Sequence, residues 1–141
     1  MVPKGLKGTA ESLVTKDMLA SHIGSGEADV YATPMMAALI EKAAWESIKP
    51  YLPEGKTSVG ISLHIAHTAA TPLGMRVAAI SEVTDVSVDG RIITFAVTAQ
   101  DDQGIIGDGT HVRAVVDQAR FQQKTDAKNE KAMQEKERRG R

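Results

Sequence analysis

One segment restricts the possible folds of this chain more than any other, because it is apolar on nearly every side of a helix. Thr33 and Pro34 predict the helix start, with a hydroxyl that caps a free backbone N–H and a proline at the first helical position. Within residues 35–44 only Glu41 and Lys42 are polar. Protein must cover most of the circumference of such a helix, so we expect it at the centre of the fold.

The segments on either side of this helix predict a sheet. Pro50 closes the helix at about Lys49, and the pattern that follows alternates as strands do. We predict a short strand at 9–15 and a helical turn at 16–23 before the helix, and strands at 57–70, 76–88, 91–101 and 105–117 after it. Asp89 and Gly90 mark a hairpin turn. The expected fold class is α+β, with a four-strand antiparallel meander wrapped around the helix.

Composition limits the classes of protein to consider. The 141 residues, 42% apolar and 25% charged, suit one soluble domain, which we place at residues 1–121. Residues 122–141 hold seven Lys or Arg and four Asp or Glu, so we expect a charged, solvated C-terminal tail. Cysteine is absent, which excludes disulfides and thiolate chemistry.

Charge and hydropathy exclude two kinds of partner. The formal net charge of −1 gives no overall basic field that would hold nucleic acid. The longest apolar run, residues 35–40, is too short to span a bilayer, and the N-terminus lacks the apolar centre of a secretory signal. We therefore expect a cytoplasmic protein without a nucleic-acid or membrane partner.

Two polar residues occupy positions where apolar ones are expected. Helical spacing places Glu41 on a stripe with Ala37, Ala44 and Ile48, and strand alternation places His67 on the apolar face of its strand. Burying either group without a partner costs free energy, which favours a chemical role for both. Structural explanations remain open from the pattern alone: an exposed acid paired with a surface lysine, and a hydrogen-bonded core histidine.

The histidines do not predict a metal site. His64 and His67 are three residues apart and therefore lie on opposite faces of a strand. A shared ion would need His67 together with Glu41 and His111. We predict no metal and no other cofactor.

Thr33 and Gly60 each have a structural and a chemical explanation. A threonine at a helix start can simply cap it, or it can help to stabilise a developing oxyanion where backbone N–H groups collect. A strand glycine can relieve a bulge, or it can let a ligand carbonyl approach a backbone N–H closely. Neither residue by itself distinguishes the structural explanation from the chemical one.

Three segments resemble the fluoroacetyl-coenzyme A thioesterase family of hot-dog-fold proteins: ATPMM at 32–36 with Glu41, HTAATP at 67–72, and GDGTHVRAV at 107–115. The resemblance covers residues 31–116. It implies a hot-dog fold, in which an antiparallel sheet wraps around a long central helix. The catalytic threonine, glutamate and histidine of that family match Thr33, Glu41 and His67.

The resemblance also implies residues that bind the substrate. The family's strand glycine, whose backbone N–H meets the thioester carbonyl, matches Gly60, and an arginine near the chain end matches Arg113. Coenzyme A (CoA) carries phosphates that need cations near the entrance. Arg76, Lys56 and Arg113 are candidates for that role by position.

The activity that the resemblance implies is hydrolysis of a small or short-chain acyl-CoA thioester to the free acid and CoA. Glu41 would act as a general base on water or attack the carbonyl directly to give an anhydride, and both routes stay open. Family members are usually dimers with the active site at the subunit boundary, so we expect a homodimer or a higher homo-oligomer. In fluoroacetyl-specific members, phenylalanines ahead of the threonine form a lid. Residues 22–31 contain none, so fluoroacetyl selectivity is not predicted.

Two other functions stay open at the level of sequence. Hot-dog hydratases and dehydratases also pair a histidine with an acid on acyl thioesters, although their characteristic helix entry is absent here. A non-catalytic module would instead use Glu41 and His67 as a structural pair and bind an acyl group or another small apolar ligand.

Overall fold

A computed structural model describes residues 1–140 of the chain. Its helices and strands follow in the order β1 (Lys7–Leu13), α1 (Ala20–Ile23), α2 (Thr33–Ile48), β2 (Lys56–His67), β3 (Arg76–Val86), β4 (Ile92–Asp101), β5 (Gly104–Asp117) and α3 (Gln118–Arg139). Single 3-10 turns lie at Lys16–Met18 and Lys49–Tyr51. The strands agree with the predicted ones to within a few residues, and the α+β prediction is confirmed.

The sheet is antiparallel throughout, with the strand order β1-β3-β4-β5-β2. The predicted four-strand meander is therefore wrong in one respect: β3, β4 and β5 form it, but β2 lies at the far edge beside β5. The connection from β2 to β3 crosses the sheet past the end of β4. There the Thr71 hydroxyl donates to Asp101 Oδ2 at 2.8 Å, and the Thr71 carbonyl accepts the Tyr31 N–H at 2.8 Å.

Helix α2 packs on the concave face of the sheet through one of its sides. That side carries its buried residues, Met36, Leu39, Ile40, Ala43, Ala44 and Ile48. A glycine in β1 allows the close approach, because a Cβ on Gly8 would lie 2.4 Å from the Ala43 carbonyl oxygen. The opposite side of the helix is open in a single chain, where Ala38 is exposed and Trp45 is 41% exposed. The prediction of a helix covered on most sides is therefore not met by one copy.

The C-terminal segment is a single exposed helix. Asp117 caps α3, since its Oδ1 accepts the Arg120 N–H at 2.9 Å. The helix begins at Gln118, so the predicted boundary between residues 121 and 122 falls inside it and not at a change of structure. None of the helices in residues 1–140 is long and apolar enough to cross a membrane.

Candidate active site

Thr33 and His67, which we call the helix-start pair, meet at the first turn of α2. Ala32 is the N-cap residue, with an extended backbone, and Thr33 is already inside the helix. The prediction of Thr33 as a cap is therefore wrong. Its hydroxyl instead forms a hydrogen bond with His67 Nδ1, at 2.7 Å. The side chain is thus available for a partner 34 residues away in the sequence, at the end of β2.

His67 is a half-buried imidazole with one nitrogen uncommitted. Tyr31 meets its ring edge-on, with the ring centroids 6.4 Å apart. The Nε2 atom is buried and has no hydrogen-bond partner within residues 1–140. Burial lowers the pKa of His67 below its ordinary value of 6.5. The ring is therefore neutral at neutral pH and can take up a proton.

A cavity of about 270 Å³ opens beside the helix-start pair. Small residues form much of its wall: Ala20, Ser25, Val30, Thr68, Ala69 and Ala70. Tyr31 also lines it, and burial raises the pKa of Tyr31 to about 12, so its hydroxyl stays neutral. Sequence reasoning missed Tyr31, which shares no motif spacing with His67.

A second group forms where β2 is irregular. The pairing of β2 with β5 shifts register between Gly60 and Ser62. This bulge turns Ile61 outward, where it is 55% exposed, whereas strict alternation along β2 would place it on the inner face. We call Glu41, Gly60, His111 and Arg113 the bulge cluster.

Gly60 allows the close approach of Glu41 to the backbone of β2. A Cβ at position 60 would lie 2.8 Å from Glu41 Oε2 and 3.2 Å from His111 Cε1. The carboxylate therefore rests almost against the backbone of β2. Any larger residue at this position would displace the acid.

Arg113 fixes Glu41 from the neighbouring strand. Its Nη1 lies 3.5 Å from Glu41 Oε2, while Nε and Nη2 donate to the Ser58 hydroxyl and carbonyl at 2.8 and 2.9 Å. The Arg113 side chain is buried, whereas that of Glu41 is 42% exposed. The prediction of Arg113 as a CoA-binding cation at the entrance is not supported within one chain, because its donors are committed to the interior.

His111 completes the cluster as a neutral acceptor. Its Nδ1 lies 2.8 Å from the Ser62 carbonyl oxygen and its Nε2 lies 3.1 Å from Arg113 Nη1. A carbonyl only accepts and a guanidinium only donates, so Nδ1 carries the proton and Nε2 accepts. Burial, foremost, lowers the pKa of His111, and the ring stacks on Phe95 with centroids 5.8 Å apart. The sequence suggests His111 only as a ligand in a metal site that is not predicted, although alternation along β5 places it on the same face as Arg113.

Within one chain the two groups stand apart. Thr33 and Glu41 are eight residues apart on α2, about 12 Å along the helix axis. Gly60 and His67 are seven residues apart on β2, about 23 Å of extended strand. Glu41 and His67 are thus not brought together by a single copy. Within residues 1–140, no group of three or more His, Cys, Asp or Glu is placed to hold a metal ion.

Arg76 lies outside both groups. It starts β3, three strands from β2 in the sheet, and its Nη1 meets Glu11 Oε2 at 3.2 Å on an exposed surface. Its predicted role in substrate binding has no support from its surroundings in one chain.

Comparison with known proteins places this chain among thioesterases. The model of the family described as fluoroacetyl-CoA-specific thioesterase matches residues 14–119, which include both groups. A fluoroacetyl-CoA thioesterase from Streptantibioticus cattleyicolor is 41% identical over 96 residues, 68% of each chain.

Solved structures agree in fold over nearly the whole chain. A structure of the fluoroacetyl-CoA thioesterase FlK superposes with a TM-score of 0.84 at 32% identity, covering 91% of this chain and 98% of that one. A thioesterase superfamily member from Thermus thermophilus gives a TM-score of 0.86 at 26% identity, covering 94% and 97%. These matches confirm the expected hot-dog fold.

Proposed function

Because the chain belongs to the fluoroacetyl-CoA-specific thioesterase family and is a thioester hydrolase, we propose that it hydrolyses small or short-chain acyl-CoA at a site built from the helix-start pair and the bulge cluster. The observation that carries this proposal is the 2.7 Å contact between Thr33 and His67 at the wall of a small cavity. At this wall, the His67 imidazole has a nitrogen without a partner, and the cavity beside it has room for an acyl group.

The site requires two copies of the chain, so the proposal includes a homodimer. β2 is an edge strand of 12 residues, with its backbone unpaired on one side. We propose that two copies pair their β2 strands antiparallel around a two-fold axis, in the register that brings Gly60 of one copy opposite His67 of the other. The exposed Ala38 and Trp45 of α2 offer apolar surface for the same contact.

In this arrangement the bulge cluster and the helix-start pair carry out different steps of the reaction. Glu41 takes the proton from an attacking water, or attacks the carbonyl carbon itself and is freed by water in a second step. The carbonyl oxygen gains negative charge and receives the backbone N–H of Gly60. CoA leaves as a thiolate, since a thiol with a pKa near 8.5 needs little help from an acid. His67, held by Thr33, orients the reactants. It also relays the proton that the attacking water loses.

We propose a small or short-chain acyl group for the cavity beside His67. The cavity beside His67 holds about 270 Å³ and is walled largely by alanines and other short side chains. The chain has two phenylalanines, and neither lies in residues 22–31 ahead of Thr33. A phenylalanine lid over a fluorinated acyl group is therefore not part of the proposal.

The test is release of free CoA from a series of acyl-CoA substrates of increasing length, starting with acetyl. We expect turnover to be highest for the short members. A hydratase frees no CoA, so product formation without thiol release would overturn the proposal in favour of that reaction. Binding without turnover of any thioester would favour the non-catalytic module, although the separation of Glu41 from His67 and the open cavity argue against a locked structural pair.

A cytoplasmic location is also part of the proposal. Fractionation of cells that express the natural chain tests it, with enrichment in the soluble cytoplasmic fraction as the expected result.

A further inference from the structure

Tyr31 is a buried tyrosine at the wall of the cavity beside the helix-start pair. Its backbone is held by two neighbouring segments: its N–H donates to the Thr71 carbonyl at 2.8 Å, and it forms an isolated β-bridge with Leu19. Its ring meets that of His67 edge-on. The reaction steps proposed above give the Tyr31 hydroxyl no role.

The Tyr31 hydroxyl is a polar group without a protein partner. It forms no hydrogen bond with any residue in the described range 1–140, although only 2% of Tyr31 is exposed. A buried tyrosine usually gives its O–H a partner, and leaving such a donor unpaired costs free energy. Because Tyr31 lines the cavity, a ligand atom held there can accept from this donor.

The surroundings of the cavity limit the kind of ligand atom that fits. Burial raises the pKa of Tyr31 to about 12, so the hydroxyl keeps its proton at neutral pH and can donate it. Among the lining residues that the structure describes, none is Lys, Arg, Asp or Glu. A charged substituent would therefore lack a counter-ion, and a neutral acceptor is favoured.

Two other hydroxyls line the cavity, those of Ser25 and Thr68. Both residues are exposed, so water can satisfy their hydroxyls whether or not a ligand is present. They therefore gain little from a polar substituent. Tyr31 differs because its burial restricts the access of water, so it gains more from an acceptor on the ligand.

Tyr31 lies close enough to the reaction centre to contact a short acyl group. In the reaction proposed above the acyl carbonyl lies beside His67, and the ring centroids of His67 and Tyr31 are 6.4 Å apart. One small acyl group can touch both rings at this separation. A substituent one or two carbons from the carbonyl is the part of the ligand that falls beside Tyr31.

We propose that Tyr31 selects acyl groups that carry a hydroxyl on the second or third carbon, by donating its phenol O–H to the oxygen of that hydroxyl. A hydroxyl is small, neutral and a good acceptor, and its own proton can be donated to Thr68 or to water. The substrate class is then short hydroxyacyl-CoA, which is hydrolysed to the hydroxy acid and CoA. This inference rests on the proposed function and adds a residue that determines its specificity.

The first test measures kcat/KM for two pairs of substrates that differ only by a hydroxyl: glycolyl-CoA with acetyl-CoA, and 3-hydroxypropionyl-CoA with propionyl-CoA. In the wild type, the hydroxylated member of at least one pair should be preferred by about tenfold or more, because a site that binds a hydroxyl rejects the analogue without it. Tyr31→Phe removes only the donor and should lower this preference about tenfold. The intrinsic reactivity of the thioesters cancels, since it is the same for both proteins.

The matched control is Tyr51→Phe. It removes the same atom from a tyrosine that is 44% exposed, in the turn after α2 and not among the residues that line the cavity. The preference for the hydroxylated substrates should stay at the wild-type value in this variant. An equal loss of preference in both variants, or no loss in Tyr31→Phe, would overturn the proposal.

The melting temperature separates this role from a structural one. The Tyr31 hydroxyl has no partner in residues 1–140, so Tyr31→Phe should melt no lower than the wild type. A lower melting temperature together with an unchanged substrate preference would assign the hydroxyl to the fold and overturn its role in selection.

The second test measures binding without turnover. It uses the amide analogues of the same four acyl-CoA compounds, in which an NH group replaces the sulfur, and calorimetry to measure Kd. In at least one pair the hydroxylated analogue should bind the wild type about tenfold more tightly than its partner, and Tyr31→Phe should remove most of this difference. If this difference is found in a protein that hydrolyses no thioester, the proposed function fails while selection by Tyr31 stands. Equal affinities within both pairs, or no binding of any analogue, would overturn selection by Tyr31, whatever the activity.

Discussion

The helix-start pair and the bulge cluster hold their polar groups in opposite ways. In the pair, one hydrogen bond joins Thr33 to His67, and a nitrogen is left without a partner in residues 1–140. In the cluster, each side-chain nitrogen of His111 and Arg113 has a hydrogen-bond partner, and the two residues are 1% and 6% exposed. The cluster is built to hold one carboxylate still. The pair is built to keep one imidazole free for protons.

Among the variants that test this difference, substitution of Glu41 should lower activity the most. Glu41→Gln keeps the shape of the side chain and a contact for Arg113 but removes the base or nucleophile. We expect kcat to fall by about 10²–10⁴-fold in a CoA-release assay, with the melting temperature near that of the wild type. Glu46→Gln is the matched control, since Glu46 lies on the same helix and forms only an exposed 3.8 Å pair with Lys42. A loss of less than about tenfold in Glu41→Gln would contradict its role.

Mixing two inactive variants tests whether the pair and the cluster act across copies. Glu41→Ala and His67→Ala each lose activity alone. In a mixed dimer, one of the two sites combines the intact His67 of one copy with the intact Glu41 of the other. Random mixing should then restore about one quarter of the wild-type activity, because half of the dimers are mixed and half of their sites are complete.

The control for that experiment is the doubly substituted chain. Random mixing of equal amounts of the Glu41→Ala, His67→Ala double variant and wild type should leave about one quarter of the wild-type activity, half of what dilution alone would leave, since each mixed dimer then lacks a residue at both sites. Absence of rescue between the single variants, in dimers shown to exchange, would mean that one chain carries the whole site.

The sequence predicted the pair more completely than the cluster. The glutamate, the histidine, the glycine and the helix start came from periodicity and from the family motifs, and those residues lie on the expected elements. The cap assignment of Thr33 failed because capping preference is local, whereas the 2.7 Å contact to His67 depends on the end of β2, far away in the sequence.

The resemblance named Glu41, Gly60 and Arg113, but their arrangement in one cluster with His111 escaped prediction for a topological reason. Arg113 lies opposite Gly60 only because β2 crosses the sheet to pair with β5, and a meander would have kept these strands apart. The alternation in β5 did show that His111 and Arg113 share a face, and two polar side chains on an inward face were a signal for a buried network. Their partner on α2 could not be identified without the strand order.

The pH dependence of kcat tests whether the neutral imidazole of His67 takes part in the reaction. The folded pKa of His67 lies below its ordinary value of 6.5, so the ring is neutral above that pH and gains a proton only as the pH falls through the lowered pKa. We expect kcat for acyl-CoA to be level between pH 7 and 8 and to decline on the acid side, roughly tenfold per pH unit once protonation is complete. Thr33→Val removes the hydroxyl contact to Nδ1 and should move this acid limb. An acid limb that Thr33→Val leaves at the same pH would contradict the assignment of this limb to His67.

The histidines of both regions should make the free energy of unfolding depend on pH in the same direction. The unfolded chain binds protons at histidine near pH 6.5, above the lowered folded pKa of His67 and of His111. The unfolded state therefore holds more protons below that pH, and the free energy of unfolding should fall as the pH drops from 7 towards 5. Denaturant titration at several pH values measures it, and His111→Gln should flatten part of the dependence.

The smallest effect, and the most specific, separates the two hydrogen bonds of His111. Asparagine at this position places an amide nitrogen near the place of Nδ1 and keeps the donor to Ser62, whereas glutamine places an amide oxygen near that of Nε2 and keeps the acceptor for Arg113. Each variant should lose about 1–3 kcal/mol of stability, because one buried group is left unpaired. If orientation of Arg113 governs Glu41, His111→Gln retains a higher kcat than His111→Asn at pH 8, by about tenfold or less. His22→Asn, at an exposed histidine of α1 outside β2, should change neither quantity. Equal kcat values in the two His111 variants would mean that the cluster supports the bulge in β2 but does not aim the carboxylate.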